Sequence, residues 1–288
     1  MTKTAVIAVL FVNVAASLAV IIGNTFTILV FWKHRNRLQR TSFLLINLAV
    51  ADLFVGFSQT VMNGAFQIPR QLKVNRVSKS ASTMDILVSF QAAFSFASVF
   101  FLVLISLERA YALKWPLRHR VASLKGYMYS AIFVWAAGAA LGTLTLLAAR
   151  GMFDFVLWMV AFSCIVVLAF TTICVSYLAI RTRLANSAPA VGQAHNRERA
   201  PEQMKKLSKT LFIVITTSLV CWIPSVAMYC VRFLCPECLS FLVFRIFHLS
   251  RLANSLVNPI IYCFKIPMFR KTLKQMRPRK QSNEYTVN

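Results

Sequence analysis

Residues 82–111 read STMDILVSFQAAFSFASVFFLVLISLERAY, with no Asp, Glu, Lys or Arg between Asp85 and Glu108. A helix rises 1.5 Å per residue and needs about 20 apolar residues to cross the ~30 Å hydrocarbon core of a bilayer. This stretch is long enough, and the apolar run stops at an adjacent acid and base, Glu108-Arg109. Working outward, the same pattern recurs at 5–32, 42–66, 126–149, 153–180, 209–231 and 239–264. The fold expected is an all-α integral membrane protein: a seven-transmembrane helix bundle over 1–264, followed by a cytoplasmic segment over 265–288.

Composition agrees. The chain is 58% hydrophobic and 14% charged, whereas soluble domains carry about 25% charged residues. Net charge is +24, from 32 Lys and Arg against 8 Asp and Glu. In a soluble protein that imbalance would suggest nucleic acid. Here the basic residues lie between apolar blocks and no nucleic-acid motif accompanies them, so the expected partner is anionic membrane lipid. The first apolar stretch exceeds the core of a cleavable signal peptide. Few residues precede it, so no N-terminal domain for a large hormone is expected, unless Met1 marks an incomplete chain. The connections are short except at 181–206, a polar segment with Pro189, Gly192 and Pro201, expected to be a mobile loop with helix extensions at its ends.

Basic residues also set the orientation. With the N-terminus outside, the inner segments 33–40, 109–125, 181–209 and 265–288 carry 4, 5, 7 and 7 Lys or Arg, 23 of the chain's 32. Cytoplasmic segments are enriched in just this way, although Arg70, Lys73 and Arg76 cut against the rule locally. From Lys265 to Leu273 basic and apolar residues alternate. That segment reads as an amphipathic cytoplasmic helix on the inner membrane surface, the alternative being a disordered tail.

Polar groups inside spans are costly and need partners. The second span holds Asp52; the first offers Asn24, the third Ser98, and the seventh Asn254, Ser255 and Asn258. Antiparallel threading brings these midpoints together. They could ligate a hydrated cation through oxygen or form an interhelical hydrogen-bond cluster without one. Glu108 and Arg109 could pair, or Arg109 could snorkel. Pro224 in Cys221-Trp222-Ile223-Pro224 and Pro259 in Asn258-Pro259-Ile260-Ile261-Tyr262 should kink the sixth and seventh spans. Of the seven cysteines, five fall inside apolar blocks, where small buried thiols are ordinary.

Together these residues resemble the rhodopsin-like (class A) G-protein-coupled receptors. The resemblance rests on Gly23-Asn24, Leu48-Ala49-Val50-Ala51-Asp52, Glu108-Arg109-Ala110, Trp135, Tyr177, Cys221-Trp222-Ile223-Pro224 and Asn258-Pro259-Ile260-Ile261-Tyr262, in order on seven consecutive spans. It implies an allosteric Na⁺ pocket of Asp52, Ser98, Trp222, Asn254, Ser255 and Asn258, with no other metal and no cofactor. It implies further that Arg109 engages a heterotrimeric G protein when the sixth span swings out near Pro224. Tyr177 and Tyr262 would pair in that open state, and Leu117 in Trp115-Pro116-Leu117 would be an apolar knob for the Gα subunit.

Departures from the pattern matter too. Met84 stands where the family usually bridges a cysteine to the second outer loop, which here shrinks to residues around Arg150-Gly151. Ala169 replaces the usual proline of the fifth span and Ser218 the usual phenylalanine of the sixth. Met204 stands where an acid often locks Arg109, leaving Glu202 as the substitute, so high basal activity is expected. These absences resemble the branch holding melanocortin, adenosine, cannabinoid and lysolipid receptors. Melanocortin receptors also carry a cysteine pair in the third outer loop; Cys235 and Cys238 are either such a bridge or free thiols, the two-residue spacer being tight.

Gln91 replaces the aspartate of amine receptors, Leu252 the lysine of opsins, and only Asp85 stands near the acidic site of melanocortin receptors. In the seventh span Arg245, His248 and Arg251 recur at intervals of three, roughly one stripe. A cationic wall favours an anionic, small or lipid-like extracellular ligand; pairing with Glu237 and Asp85 or headgroup contact is the alternative. Phe90, Phe94, Trp222 and Tyr229 would supply an aromatic floor. The function expected is that of a plasma-membrane receptor and not of an enzyme, since no catalytic set stands in the spans. The rivals are an ion or solute transporter using Asp52, Arg251 and His248, or a seven-helix protein that no longer couples. Ser282, Thr286 and Thr272 suggest weak arrestin binding.

Overall fold

The computed structural model describes residues 3–34, 39–67, 81–186, 199–235 and 241–276. Seven long helices run through them: α1 (Lys3–Lys33), α2 (Gln39–Met62), α3 (Ala81–Lys114), α5 (Leu124–Ala149), α6 (Phe155–Asn186), α7 (Arg199–Leu234) and α8 (Phe241–Lys265). Two short helices join them, α4 (Pro116–Val121) and α9 (Pro267–Met276), and among the described residues there is no strand. α2 widens into a π-turn at Asn63–Gln67, a form that concentrates at functional sites.

By length and hydropathy alone, α1, α2, α3, α5 and α6 qualify as membrane spans among the described residues. α7 contributes the shorter apolar stretch Phe212–Met228. α8 falls short because Arg245, His248, Arg251, Asn254 and Asn258 interrupt it. α6 and α7 run past the apolar blocks, to Asn186 and back to Arg199. The expected loop at 181–206 is therefore helical at both ends, and residues 187–198 lie outside the described set.

α3 occupies the middle of the bundle, against α2, α5 and α6, while α1 packs on α2 and α8, and α7 on α8. Two glycines set the closest of these approaches. A Cβ on Gly138 would lie 2.8 Å from the Ala93 carbonyl oxygen, and one on Gly142 would lie 2.6 Å from Ala93 Cβ and 2.8 Å from the Ser89 carbonyl oxygen. Small residues four apart let backbones meet where lipid offers no hydrophobic drive for association. Phe96, Phe101, Leu102, Ile105, Trp222 and Tyr262 fill the interior, whereas Ile22, Phe133, Leu157 and Leu168 form an outward apolar belt. Cys164 and Cys174 belong to that exposed face; the expectation that they are buried is corrected, because lipid solvates a thiol as readily as a core does.

The short turn between α5 and α6 is built locally. Gly151 has φ +71, Gly151 N donates to the Ala148 carbonyl oxygen at 3.0 Å, and Met152 N donates to that of Leu147 at 3.0 Å. These two bonds close a helix through a left-handed glycine. Asp154 Oδ1 then caps α6 by accepting from Leu157 N at 2.9 Å. At the other side of the bundle α9 has the amphipathic form expected of it: Ile266 and Phe269 are buried, Arg270 and Lys271 exposed. The Phe269 ring meets Phe26, Phe31 and Tyr262 at 5.9, 5.1 and 5.8 Å.

Candidate functional site

Asp52 is fully buried in α2 and is the centre of a three-helix cluster. Its Oδ1 accepts from Ser98 Oγ of α3 and Ser255 Oγ of α8, each at 2.7 Å, and its Oδ2 accepts from Asn258 Nδ2 at 2.7 Å. Asn24 of α1 completes the ring, donating from Nδ2 to the Ser255 carbonyl oxygen at 3.0 Å. Gly23 is needed beside it because a Cβ there would lie 3.0 Å from Pro259 Cβ. The side-chain oxygens Asn24 Oδ1, Asn254 Oδ1 and Asn258 Oδ1 are buried without partners. A carboxylate, two hydroxyls and uncommitted amide oxygens are the donor set of a hard cation, so the residues fit Na⁺.

Trp222 is buried with its Nε1 unpartnered. It sits against Phe162 and Phe170, with centroids 6.2 and 6.5 Å away, and makes no hydrogen bond to Asp52. Arg251 reaches into the same region. Its guanidinium carbon lies 5.6 Å from the Trp222 ring centroid, and its Nη2 donates to Ser95 Oγ at 3.1 Å. Its Nε is buried and unpartnered, so one edge of the guanidinium fork keeps an open donor.

At the C-terminal end of α3 Glu108 and Arg109 are both buried. Glu108 accepts from Arg109 Nε, from Arg109 Nη2 at 2.7 Å and from His119 Nε2 at 2.9 Å. Arg109 Nη2 also donates to Thr41 Oγ1 of α2, and Arg40 Nη1 to the His119 carbonyl oxygen. Arg109 is therefore held by its own neighbour and by α2. Leu117 stands on α4, 79% exposed.

The two tyrosines expected to pair in the open state stand apart here, and the expected aromatic floor is not assembled as read. Tyr177 stacks on Phe212 at 3.7 Å between centroids, while Tyr262 faces Phe31 at 5.7 Å with its hydroxyl buried and unpartnered. The two tyrosines thus point into different packings. Phe94 is not part of a floor under Trp222: it stacks on Phe54 at 4.7 Å and meets Trp135 edge-on at 6.2 Å. Phe90 points outward, 54% exposed. One residue of helix turns a side chain by about 100°, enough to move it from the interior to the face of α3 that meets Trp135 of α5. Gln91 donates to Gln59 Oε1 at 2.8 Å, and Gln59 to Asn63 Oδ1 at 3.1 Å, an amide chain ending at the π-turn. Asp85 makes no ion pair among the described residues. Cys235 is disulfide-bonded. Cys238 and the side chains of Tyr229, Arg245 and His248 lie outside the described residues, as does that of Glu202.

Sequence reading missed His119, Thr41, Gln59 and Asn63. Pro116 after Trp115 was the usable signal for α4, since proline favours the first helical position, and it places His119 one turn on.

A family model described as "7 transmembrane receptor (rhodopsin family)" matches residues 23–262. The human adenosine receptor A2a is 24% identical over 92% of this chain and 71% of its own. Human lysophosphatidic acid receptor 3 is 27% identical over 96% and 80%. The octopamine receptor beta-1R of Drosophila melanogaster is 24% identical over 91% and 60%.

Proposed function

The chain belongs to the rhodopsin family of seven-transmembrane receptors, and from that premise we propose that it couples an extracellular ligand to a heterotrimeric G protein at the plasma membrane, N-terminus outside. It is a multi-pass membrane receptor and not an enzyme. The observation that carries the reading is the double anchorage of one helix. α3 is fixed to α2 at two levels, at mid-membrane through Ser98 to Asp52 and at its inner end through Arg109 to Thr41.

Ligand binding shifts a population between two states. In the resting state Arg109 stays folded onto Glu108, and Tyr177 and Tyr262 stay apart. In the active state α7 pivots near Pro224, Arg109 is released into the inner cleft, and the two tyrosines close the gap left behind. The cleft and Leu117 then take the Gα subunit. Asp52, Ser98, Ser255 and the free amide oxygens of Asn24 and Asn258 would hold Na⁺, with Asn254 and Trp222 at the periphery. Bound there, the ion supplies positive charge to a buried carboxylate. The chain's own part is to keep three donors aimed at Asp52 in the resting state and to let Asn258 leave it when α8 moves.

On the outer side the ligand is small or lipid-like and anionic. Arg251 supports this, being a mid-membrane cation with no acidic partner among the described residues. The names of two relatives, an adenosine and a lysophosphatidic acid receptor, fit a compact or amphiphilic ligand. The basic face of α9 rests on anionic inner-leaflet lipid, and arrestin binds weakly.

The test is basal G-protein activation in cells across the Gα classes, comparing wild type with Arg109→Ala and Asp52→Asn. A signal lost in Arg109→Ala supports coupling. A conductance or solute flux abolished by Asp52→Asn, with no G-protein response, would replace this reading by the transporter one.

A further inference from the structure

The linker between α4 and α5 carries a pattern that the receptor reading does not use. Arg118-His119-Arg120-Val121-Ala122-Ser123-Leu124 places arginines five and three residues before a serine, with an apolar residue directly after it. The stretch from Arg109 to Phe153 contains no Asp or Glu. In an extended chain side chains alternate, so positions two apart share a face. Arg118 and Arg120 then fall on one face and Ser123 on the other. That is the charge pattern of a substrate strand for an enzyme whose acidic groove reads two arginines while its reacting centre meets the serine.

The structure presents this serine. Ser123 is exposed, and both it and Ala122 are extended, with φ and ψ of −73 and 144 and of −61 and 138. Val121 and Leu124 on either side are 83% and 42% exposed. Ser123 Oγ accepts from Lys125 N at 3.2 Å, which leaves its own proton uncommitted among the described residues. Other hydroxyls that follow basic residues are placed differently. Thr41 and Ser42 come after Arg40 and Thr272 after Arg270-Lys271, but all three are buried. Thr182 is exposed, yet Ala179 and Tyr177 stand in its arginine positions and its hydroxyl donates to the Leu178 carbonyl oxygen at 3.0 Å.

In this state Arg118 and Arg120 belong to α4, a helix of six residues with no side-chain cap from Trp115. A helix so short is marginal by itself. Two contacts hold it: His119 Nε2 to Glu108 Oε1 at 2.9 Å, and Arg40 Nη1 to the His119 carbonyl oxygen. Both run through His119, which lies on the strand face opposite the two arginines. Release of His119 therefore lets Arg118–Val121 extend in line with Ala122 and Ser123.

We propose that Ser123 is a phosphorylation site for a basophilic serine kinase of the cytoplasm, which reads Arg118 and Arg120 once α4 undocks from Glu108. Ser123 Oγ attacks the γ-phosphorus of the Mg-ATP that the kinase supplies. The Oγ–P bond forms, the bond from that phosphorus to the bridging oxygen of ADP breaks, and ADP leaves with the electron pair. The hydroxyl proton passes to the kinase's own carboxylate. The product adds a charge of about −1.5 to −2 to a stretch that has no acid. Arg40 is within its reach, since the carbonyl that Arg40 holds also accepts from Ala122 N at 3.3 Å, one residue before Ser123. A phosphate there competes with the His119 carbonyl for Arg40, so modification and undocking favour each other. Because α4 carries Leu117, the modification bears on the surface proposed to meet Gα. The cytoplasmic location rests on the proposed orientation of the chain; the substrate pattern does not.

The test uses the full chain in nanodiscs, a purified kinase selected for arginine at both positions, and γ-labelled Mg-ATP, with phosphopeptides mapped over time. Arg277, Arg279 and Ser282 repeat the spacing, with Asn283 after the serine, so Ser282 serves as a reference within the same chain. Phosphate is expected on Ser123 and is lost in Ser123→Ala. Arg118→Gln lowers the initial rate at Ser123 about tenfold, and His119→Ala raises it about 2- to 10-fold; neither changes the rate at Ser282. A monodisperse elution profile for each variant separates these effects from loss of fold. Phosphate on Ser282 with none on Ser123 overturns the proposal, and so does a Ser123 rate indifferent to Arg118→Gln. Label on a free peptide of residues 116–125 with none on the chain overturns it too, because the fold would then withhold the site. A rate unmoved by His119→Ala removes the undocking step. Nanodiscs leave both faces open and no readout uses G-protein activity, so failure here leaves the orientation and the coupling proposal standing.

Discussion

Glu108→Gln tests the inner latch. The Glu108 side chain is 2% exposed and receives hydrogen bonds from Arg109 and His119. Glutamine keeps the length and one acceptor oxygen but removes the charge and turns an NH₂ toward one of the two donors. A hydrogen bond to a charged group contributes about 1.5–3 kcal/mol. If Arg109 leaves Glu108 in the active state, that stabilisation belongs to the resting state alone. Its loss shifts the equilibrium about 10- to 150-fold. A receptor active about 1% of the time would become active about 10 to 60% of the time. The assay is basal GTPγS binding to membranes, normalised to surface receptor. Thr41→Ala removes one hydrogen bond from the same guanidinium and should move the signal in the same direction by less. Unchanged or lower basal activity in Glu108→Gln at normal expression would refute the latch, because the charge would then not be holding Arg109 in the resting state.

Asp52→Asn should leave the fold intact, since the Ser98 and Ser255 hydroxyls can turn to accept, but remove any cation effect. Wild type should melt higher in NaCl than in N-methylglucamine chloride by the linkage of ligand to fold, and the variant should not; equal shifts in both would exclude the Asp52 site. Gly142→Val pushes a side chain into Ala93 and the Ser89 carbonyl. It should cost about 1–3 kcal/mol, read as a lowered melting temperature in detergent, whereas the same change at Gly126, where an added Cβ meets nothing, should not act through steric overlap. An agonist found among carboxylate or phosphate amphiphiles should lose roughly 10- to 100-fold in potency in Arg251→Gln, through the lost charge-assisted pair; full potency would place the anion elsewhere.

The bundle was legible because membrane solvation leaves few choices. A run such as Asp85 to Glu108 can only cross, and a buried Asp52 must find donors on neighbouring helices, which is where Ser98, Ser255 and Asn258 stand. Arg251 was legible for the same reason, although its contact with Trp222 depends on how far α8 is rotated. Periodicity could not assign Phe94 to the interior or to the α3–α5 contact, because one helical step separates them and two small glycines on another helix set how closely α5 approaches. His119 was invisible for a different reason: α4 is a single short helix whose docking on Glu108 is set by tertiary contact and not by its own sequence. Tyr177 and Tyr262 show a third kind of limit. Their residue types announce a pair, but which state the molecule rests in is a difference of free energies between packings.

The most direct test of the central claim is nucleotide exchange by purified components: the full chain in nanodiscs, a heterotrimer chosen by the cell assay, and release of labelled GDP followed in time. The account predicts that the receptor accelerates release, that Glu108→Gln accelerates it further, and that Arg109→Ala abolishes the effect while the protein stays folded. Acceleration that persists undiminished in Arg109→Ala would contradict it, since the inner arginine would then have no part in coupling.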